Sequence, residues 1–450
     1  MTSSNTTIAT GVNNNAVLDV EDKPSVKLWG LLSLQHLCAM FGATVLVPYL
    51  VTGGILANDP DATGLSTAIA LITSGGGTLL YLCITGFRIP AYLGSSFAFI
   101  APLISAAVAA GLPGAMFGAF CAGLVYIAVA ILIRFFGVSW LMKILPPVVV
   151  GPVIMVIGLG LAPIAIGMAT KGAGDDYSAL NLSVALFTLV MTLLFSLAFK
   201  GIFSIIPILL GIICGYILAL TLGMVNLSPI ASSNWIAVPD FTFFPAVFAE
   251  GLPWFVLPLL VPVALVTIAE HIGDQMVLSR VVGRNFLRKP GLDRSLAGDG
   301  IATLFASLLG GPPNTTYGEN IGVLAITRIY SVYVIAGAAV LALSLGFIGK
   351  ISALVSSIPV PVMGGIAIAL FGVIASSGLR TLIEGKVDLN EKRNLLITSV
   401  ILVLGIGGAE LPIGQWATLS SMAFATLAGI TMHLILPGKE TAGDSDKSLG

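Results

Sequence analysis

Of 450 residues, 57% are hydrophobic and only 9% carry charge, whereas about a quarter of an ordinary soluble domain is charged. A formal net charge of -1 offers no basic surface, so nucleic acid is excluded as a partner. Cys38, Cys83, Cys121 and Cys214 sit in apolar runs without CxxC or Cys/His spacing, so no disulfide framework, metal site or cofactor is expected.

In chain order, residues 1–26 read as a disordered polar tail without the successive regions of a signal peptide, and 437–450 as a second polar tail. Crossing a bilayer takes ~20 apolar helical residues, because the backbone must satisfy its own polar groups there. One such run lies between Lys27 and Asp59 and another between Asp61 and Arg88; the charge-free interval from Arg88 to Arg134 holds two. Further runs fall at about 144–167, 179–199, 202–225, 251–275, 295–311, 314–328, 329–349, 356–379, 394–411 and 414–436. The expectation is an all-α membrane protein of fourteen spans, with the third, ninth and tenth short or interrupted. With both termini in the cytoplasm, only Lys171 and Lys350 of the 20 Lys and Arg residues fall outside, as the positive-inside rule requires.

Gly75, Thr78, Leu79, Gly86 and Tyr92 recur in register as Gly300, Thr303, Leu304, Gly311 and Tyr317. Pro146, Val149, Gly151 and Ala162 likewise recur as Pro359, Val362, Gly364 and Ala375. Two seven-span repeats of opposite orientation follow, an architecture whose substrate sits near the midplane where interrupted helices meet. The interrupted pair is 90–97 (PAYLGSSF) and 313–320 (PNTTYGEN), each expected as extended backbone followed by a half-helix with free N–H donors.

Ionisable groups at membrane depth are costly and point to function. Here they are His36, Glu270, His271, Asp274, Asp299 and Glu319. Glu270 and Asp274, four apart, share a helix face, and Glu319 opens a half-helix where a carboxylate gains from the helix dipole. A ring imide offers N–H donors beside C=O acceptors, so carboxylates and backbone N–H groups together suit it; Phe97 supplies a stacking face. A carboxyl deprived of water binds its proton more tightly, so buried acids can also load and release one near neutral pH. The plainer readings are helix-packing hydrogen bonds for the acids and histidines, and core packing for Phe97.

QHLCAMFGATVLVP around Gln35 and His36, PAYLGSSFAF, AEHIGD (269–274) and NTTYGENIGVLAITR (314–328) resemble the nucleobase-ascorbate transporter family, in particular its uracil-carrying bacterial branch. Its signature E-N-x-G-x-x-x-x-T-R is filled by Glu319, Asn320, Gly322, Thr327 and Arg328. The resemblance implies a core domain (27–135 and 251–350) and a gate domain (136–225 and 351–436), with an external loop over 226–250 and short strands interrupting spans three and ten. It implies uracil import by proton symport, alternating access and a homodimer in the bacterial inner membrane. It places Glu270, Glu319, Phe97, Ser96, Tyr317 and Gly318 around the substrate, with Gln35, His36, His271 and Asn320 in support. Asp274 stands where the family's uracil carriers have a histidine, and Asp299 where they carry Asn, so proton coupling falls to Glu270, Asp274 and Asp299. Acids at both positions keep a purine symporter as the alternative.

Other classes fit less well. Three histidines and buried cysteines supply neither a nucleophile–base pair nor a metal cluster, so no enzyme is expected. No G-x-x-x-x-G-K-[ST] motif exists for an ATP-driven pump. Anion exchangers of related fold remain a rival, although two acids at the site would repel an anion.

Overall fold

The computed structural model describes residues 17–172, 174, 176–204, 206–245, 251–413 and 417–437; the expected tails over 1–16 and 438–450, and the end of the expected external loop at 246–250, lie outside the described residues. The chain is mostly helical. Helices α1 (Val26–Asn58) and α2 (Thr67–Ile84) lead through a left-handed turn at Gly86 and Phe87 into strand β1 (Leu93–Ser95). Pro90 just before it cannot join a helix interior.

Helix α3 (Ile100–Phe136) is broken at Ala110 and Gly111, where Gly111 takes φ +67 two residues ahead of Pro113. The expected third and fourth spans are therefore two segments meeting at this kink. Then come α4 (Ser139–Ile144), α5 (Pro147–Gly160), α6 (Ala162–Thr170), α7 (Ala179–Leu197), α8 (Pro207–Thr221) and α9 (Ser228–Ser232). The second half runs α10 (Leu257–Leu260), α11 (Val263–Val282), α12 (Leu292–Leu308), strand β2 (Asn314–Thr316), α13 (Gly318–Thr327), α14 (Val332–Leu345) and α15 (Gly349–Ser356). It ends with α16 (Val360–Glu384), α17 (Lys392–Ile406), the hairpin β3 (Leu411–Ile413) and β4 (Ala417–Leu419), and α18 (Ser421–Ile435).

Among the described residues, seven helices are long and apolar enough to cross a bilayer: Val26–Asn58, Thr67–Ile84, Phe97–Phe136, Pro147–Thr170, Ala179–Leu197, Trp254–Val282 and Val360–Glu384. Pro207–Thr221, Val332–Leu345 and Ser421–Ile435 are apolar but shorter. Helix α13 is shorter still, at 10 residues, because a strand takes up part of its segment.

Two groups of helices build the packing. In one, α12 lies against α3 and α2, and α14 against α2 and α1. In the other, α16 lies against α5, α6 and α7, with α17 on α5 and α18. Glycines permit the closest crossings: a Cβ at Gly378 would stand 2.5 Å from the Gly151 carbonyl oxygen, so backbones meet where α5 and α16 cross. Helix α11 bridges the groups, touching α13 and α3 on one side and α5 and α18 on the other.

Between α11 and its neighbours, β1 and β2 pair antiparallel with Leu93 opposite Thr316, Gly94 opposite Thr315 and Ser95 opposite Asn314. Two strands buried in a helical bundle leave outward polar groups that water cannot reach, so side chains must take them. Thr78 on α2 does this for β1, donating to the Leu93 carbonyl (3.1 Å) and accepting from its N–H (2.9 Å). Thr303 on α12 does the same for Asn314 of β2, at 3.1 and 3.3 Å. These two threonines are equivalents in the sequence repeat.

Residues 17–25, which the sequence assigns to a tail, run beside the segment after α13. Val17 N–H donates to the Arg328 carbonyl (2.9 Å), and the Tyr330 and Val332 N–H groups to Leu18 and Val20 (2.8 and 3.0 Å). Val20 is fully buried, and Arg284 pairs with Asp19 and Glu21. Apolar burial and paired backbone groups hold what composition alone marks as unstructured.

Candidate functional site

Helix α11, the strand pair and α16 enclose a cavity of about 600 Å³. From α11 come Glu270 and Asp274, one turn apart as four-residue spacing dictates. From β2 and the start of α13 come Thr315, Thr316, Tyr317, Gly318 and Glu319, and from the turn after β1 comes Phe97. The facing wall is largely apolar: Ile154 of α5, Leu189 and Leu193 of α7, and a face of α16 from Ile368 to Val373. That face continues into Ser376, Ser377 and Arg380, the one cation lining the cavity among the described residues.

The strand threonines hold the acids. Thr316 Oγ1 donates to Asp274 Oδ2 at 2.8 Å, and Thr315 Oγ1 reaches Glu270 Oε2 at 3.5 Å. Asp274 Oδ1 lies toward Gly318, 3.9 Å from where a Cβ would stand, so the missing side chain leaves that oxygen uncovered. Glu270 is within electrostatic range of Asp274, Asp299 and Glu319, and Asp274 of Glu319 and Asp299.

Backbone donors complete the lining. Neither Tyr317 before α13 nor Ser96 before the helical turn that follows it makes a side-chain cap bond, and the Glu319 carboxyl takes its own backbone N–H. The Tyr317 ring packs against Gly94, where a Cβ would lie 2.4 Å from it, and its hydroxyl donates to the Ser95 carbonyl (3.2 Å) and accepts from Thr44 (3.1 Å). Phe97 meets Phe371 of α16 edge to face, centroids 5.7 Å apart.

Of the residues expected at the site, Glu270, Asp274, Phe97, Tyr317, Gly318 and Glu319 line this cavity. Ser96 does not: its hydroxyl is buried with no hydrogen-bond partner among the described residues. His271 is on the face of α11 away from the cavity, its Nδ1 3.0 Å from Oδ2 of Asp299 on α12, with both side chains fully buried. Asn320 donates to the His36 carbonyl (3.2 Å) and faces His36 Nδ1 at the same distance, tying α13 to α1. Gln35 is buried on α1 away from the cavity. Thr315, Thr316 and Arg380 were not singled out from sequence. The signal for the threonines was available: hydroxyls in an extended segment opposite intramembrane acids. None existed for the apolar wall, since a leucine facing a cavity reads like one facing lipid.

Residues 28–414 match Xan_ur_permease, described as a permease family. The uracil permease of Bacillus caldolyticus is 56% identical over 432 residues, covering 96% of this chain and 97% of that protein. The uracil permease of Bacillus subtilis is 54% identical with 96% and 98% covered, and that of Escherichia coli K12 43% identical with 93% of each covered. Among solved structures, the transmembrane domain of the cyanobacterial bicarbonate transporter BicA superposes with a TM-score of 0.60 at 15% identity, over 91% of this chain and 100% of that one. The murine anion transporter Slc26a9, inward-facing, gives 0.61 at 11% identity, over 92% and 69%. Likeness at that identity concerns the fold alone: a multi-pass, mostly helical transporter architecture.

Proposed function

As this chain belongs to the Xan_ur_permease family, we propose that it imports uracil in symport with protons, by alternating access at the cavity between α11, the strand pair and α16. The observation that carries this reading is the lining itself. Two glutamates and an aspartate stand beside uncapped backbone N–H groups and Phe97, facing an otherwise apolar wall. Uracil carries two ring N–H donors and two carbonyl acceptors. Glu270 accepts from ring N–H, α13 N–H groups donate to a carbonyl, and Phe97 covers a ring face.

The cavity is larger than a single-ring base, so binding leaves room that closure must remove. Residues 27–135 and 251–350 form the core and residues 136–225 and 351–436 the gate, with α9 in the external loop between them. Moving the apolar wall of α5, α7 and α16 against the acids would seal the site and open it on the other side. Fourteen spans in two inverted repeats, cytoplasmic termini, a bacterial inner membrane and a homodimer complete the reading. Neighbouring acids that cannot all stay charged give the cycle its proton: one is released when the site faces the cytoplasm.

Uptake of labelled uracil into membrane vesicles with an imposed pH gradient tests this. Accumulation is expected to cease when a protonophore collapses the gradient, to resist sulfate, and to yield to unlabelled uracil before xanthine. Accumulation that follows sodium instead removes the proton assignment. Stronger competition by xanthine than by uracil would favour the purine reading, which Asp274 and Asp299 keep alive.

A further inference from the structure

Helix α16 carries four glycines, and three of them have a packing reason. A Cβ at Gly364 would stand 2.6 Å from the Ala169 backbone nitrogen of α6, and one at Gly378 2.5 Å from the Gly151 carbonyl oxygen of α5. At Gly365 it would drive into the Ala185 carbonyl of α7. Gly372 has no such neighbour: a Cβ there would meet no heavy atom within 4 Å. Nor does the backbone need it, since α16 runs regularly from Val360 to Glu384 and Gly372 is not among the residues with positive φ. A glycine inside a helix is less stable than alanine, so one without a backbone or packing reason points to something that must come close.

What lies over Gly372 is the cavity, which it lines together with Ala369 and Ser376. Residues seven apart share a helix face. The face of α16 that meets α7 at Gly365 is therefore clear two turns on, where Leu189 and Leu193 of α7 line the cavity instead. Phe371 fixes α16 in this rotation: its ring meets Phe97 edge to face, centroids 5.7 Å apart, and its carbonyl lies against Gly158 of α5. In uracil the two N–H and two C=O groups occupy four successive ring positions. With those turned to Glu270 and α13, carbons 5 and 6 are left toward the apolar wall.

We infer that Gly372 is a specificity-determining residue: its missing side chain leaves room in the sealed site for a group on ring carbon 5, so uracils bearing a methyl or a heavy halogen there are carried too. Closure brings the wall of α16 onto the base, and a side chain at position 372 would reach carbon 5 first. The inference rests on the uracil reading above and is independent of what ion drives transport.

Wild type, Gly372→Ala and Gly372→Val are reconstituted in proteoliposomes loaded with uracil, 5-methyluracil or 5-iodouracil. Entry of labelled uracil is followed by counterflow, an exchange that needs no net proton movement. All three bases are expected to drive entry in the wild type. The ratio of 5-iodouracil-driven to uracil-driven entry is expected to fall about tenfold in Gly372→Ala, the lower end of what one methylene decides in an apolar pocket, and further in Gly372→Val. Melting of the purified protein is the second readout: Gly372→Ala is expected at or above wild type and Gly378→Ala below it. A wild type that refuses 5-iodouracil, a ratio unmoved in both variants, or a lowered melting temperature in Gly372→Ala overturns the inference. So does loss of all exchange in both correctly inserted variants. A wild type that exchanges no uracil sinks instead the uracil reading beneath it.

Discussion

In the proposed cycle, Glu270 is the residue on which the site's chemistry turns. It faces the cavity beside Asp274 and Glu319, and among the described residues only Thr315 at 3.5 Å gives it a side-chain donor. Glu270→Gln keeps the shape but puts an amide donor where an acceptor is needed. Uracil uptake is expected to vanish while the solubilised protein melts as wild type does. Asp274 is held differently, by a 2.8 Å bond from Thr316 that leaves its other oxygen toward Gly318. A bond to a charged acceptor is worth about 1.5–3 kcal/mol. Thr316→Val is therefore expected to lower gradient-driven uracil accumulation roughly tenfold, with counterflow less affected, through a misplaced Asp274. Asp274→Asn keeps the bond from Thr316 but removes the charge, and is expected to impair accumulation more than counterflow. A change in affinity alone would make Asp274 a substrate ligand.

Among elements, the strand pair depends most on its neighbours. Three residues per strand cannot fold unaided, and burial denies water to their outer edges. Thr78 and Thr303 each satisfy one N–H and one carbonyl there, from α2 and α12. An unsatisfied buried group costs about 1–3 kcal/mol. Thr78→Val and Thr303→Val should each lower the melting temperature of the purified protein, and the double variant should lose binding. A double variant that melts and transports as wild type would mean the strands are held elsewhere. The repeat makes these residues findable, since Thr78 and Thr303 align before any coordinate is known.

At the scale of the whole molecule, the cavity lies between two packed groups of helices, with acids on one side and an apolar wall on the other. Ser376, Ser377 and Arg380 continue the wall toward the cytoplasmic end of α16 in the proposed topology. In a background without the four native cysteines, Ser377→Cys is expected to react with a membrane-impermeant maleimide from the cytoplasmic side, more slowly when uracil is present. Labelling only from outside would invert the topology.

Composition and pattern alone set the solvent and pointed to the chemistry: apolar runs must be helices in lipid, and acids inside them are costly. Glu270, Asp274 and Glu319 could be named on that ground, as could the broken segments around Leu93–Ser95 and Asn314–Thr316. Which acids share a cavity depends on how the helices pack. Asp299 went to the far side of α11, with His271, because direction around a helix depends on what packs against it. The lining from α5, α7 and α16 was invisible for the same reason: in a chain this apolar, a residue's type does not say whether it meets lipid, core or cavity. Nor could composition foresee that Val20 is buried, since the segment that covers it, 328–333, lies more than 300 residues further along the chain.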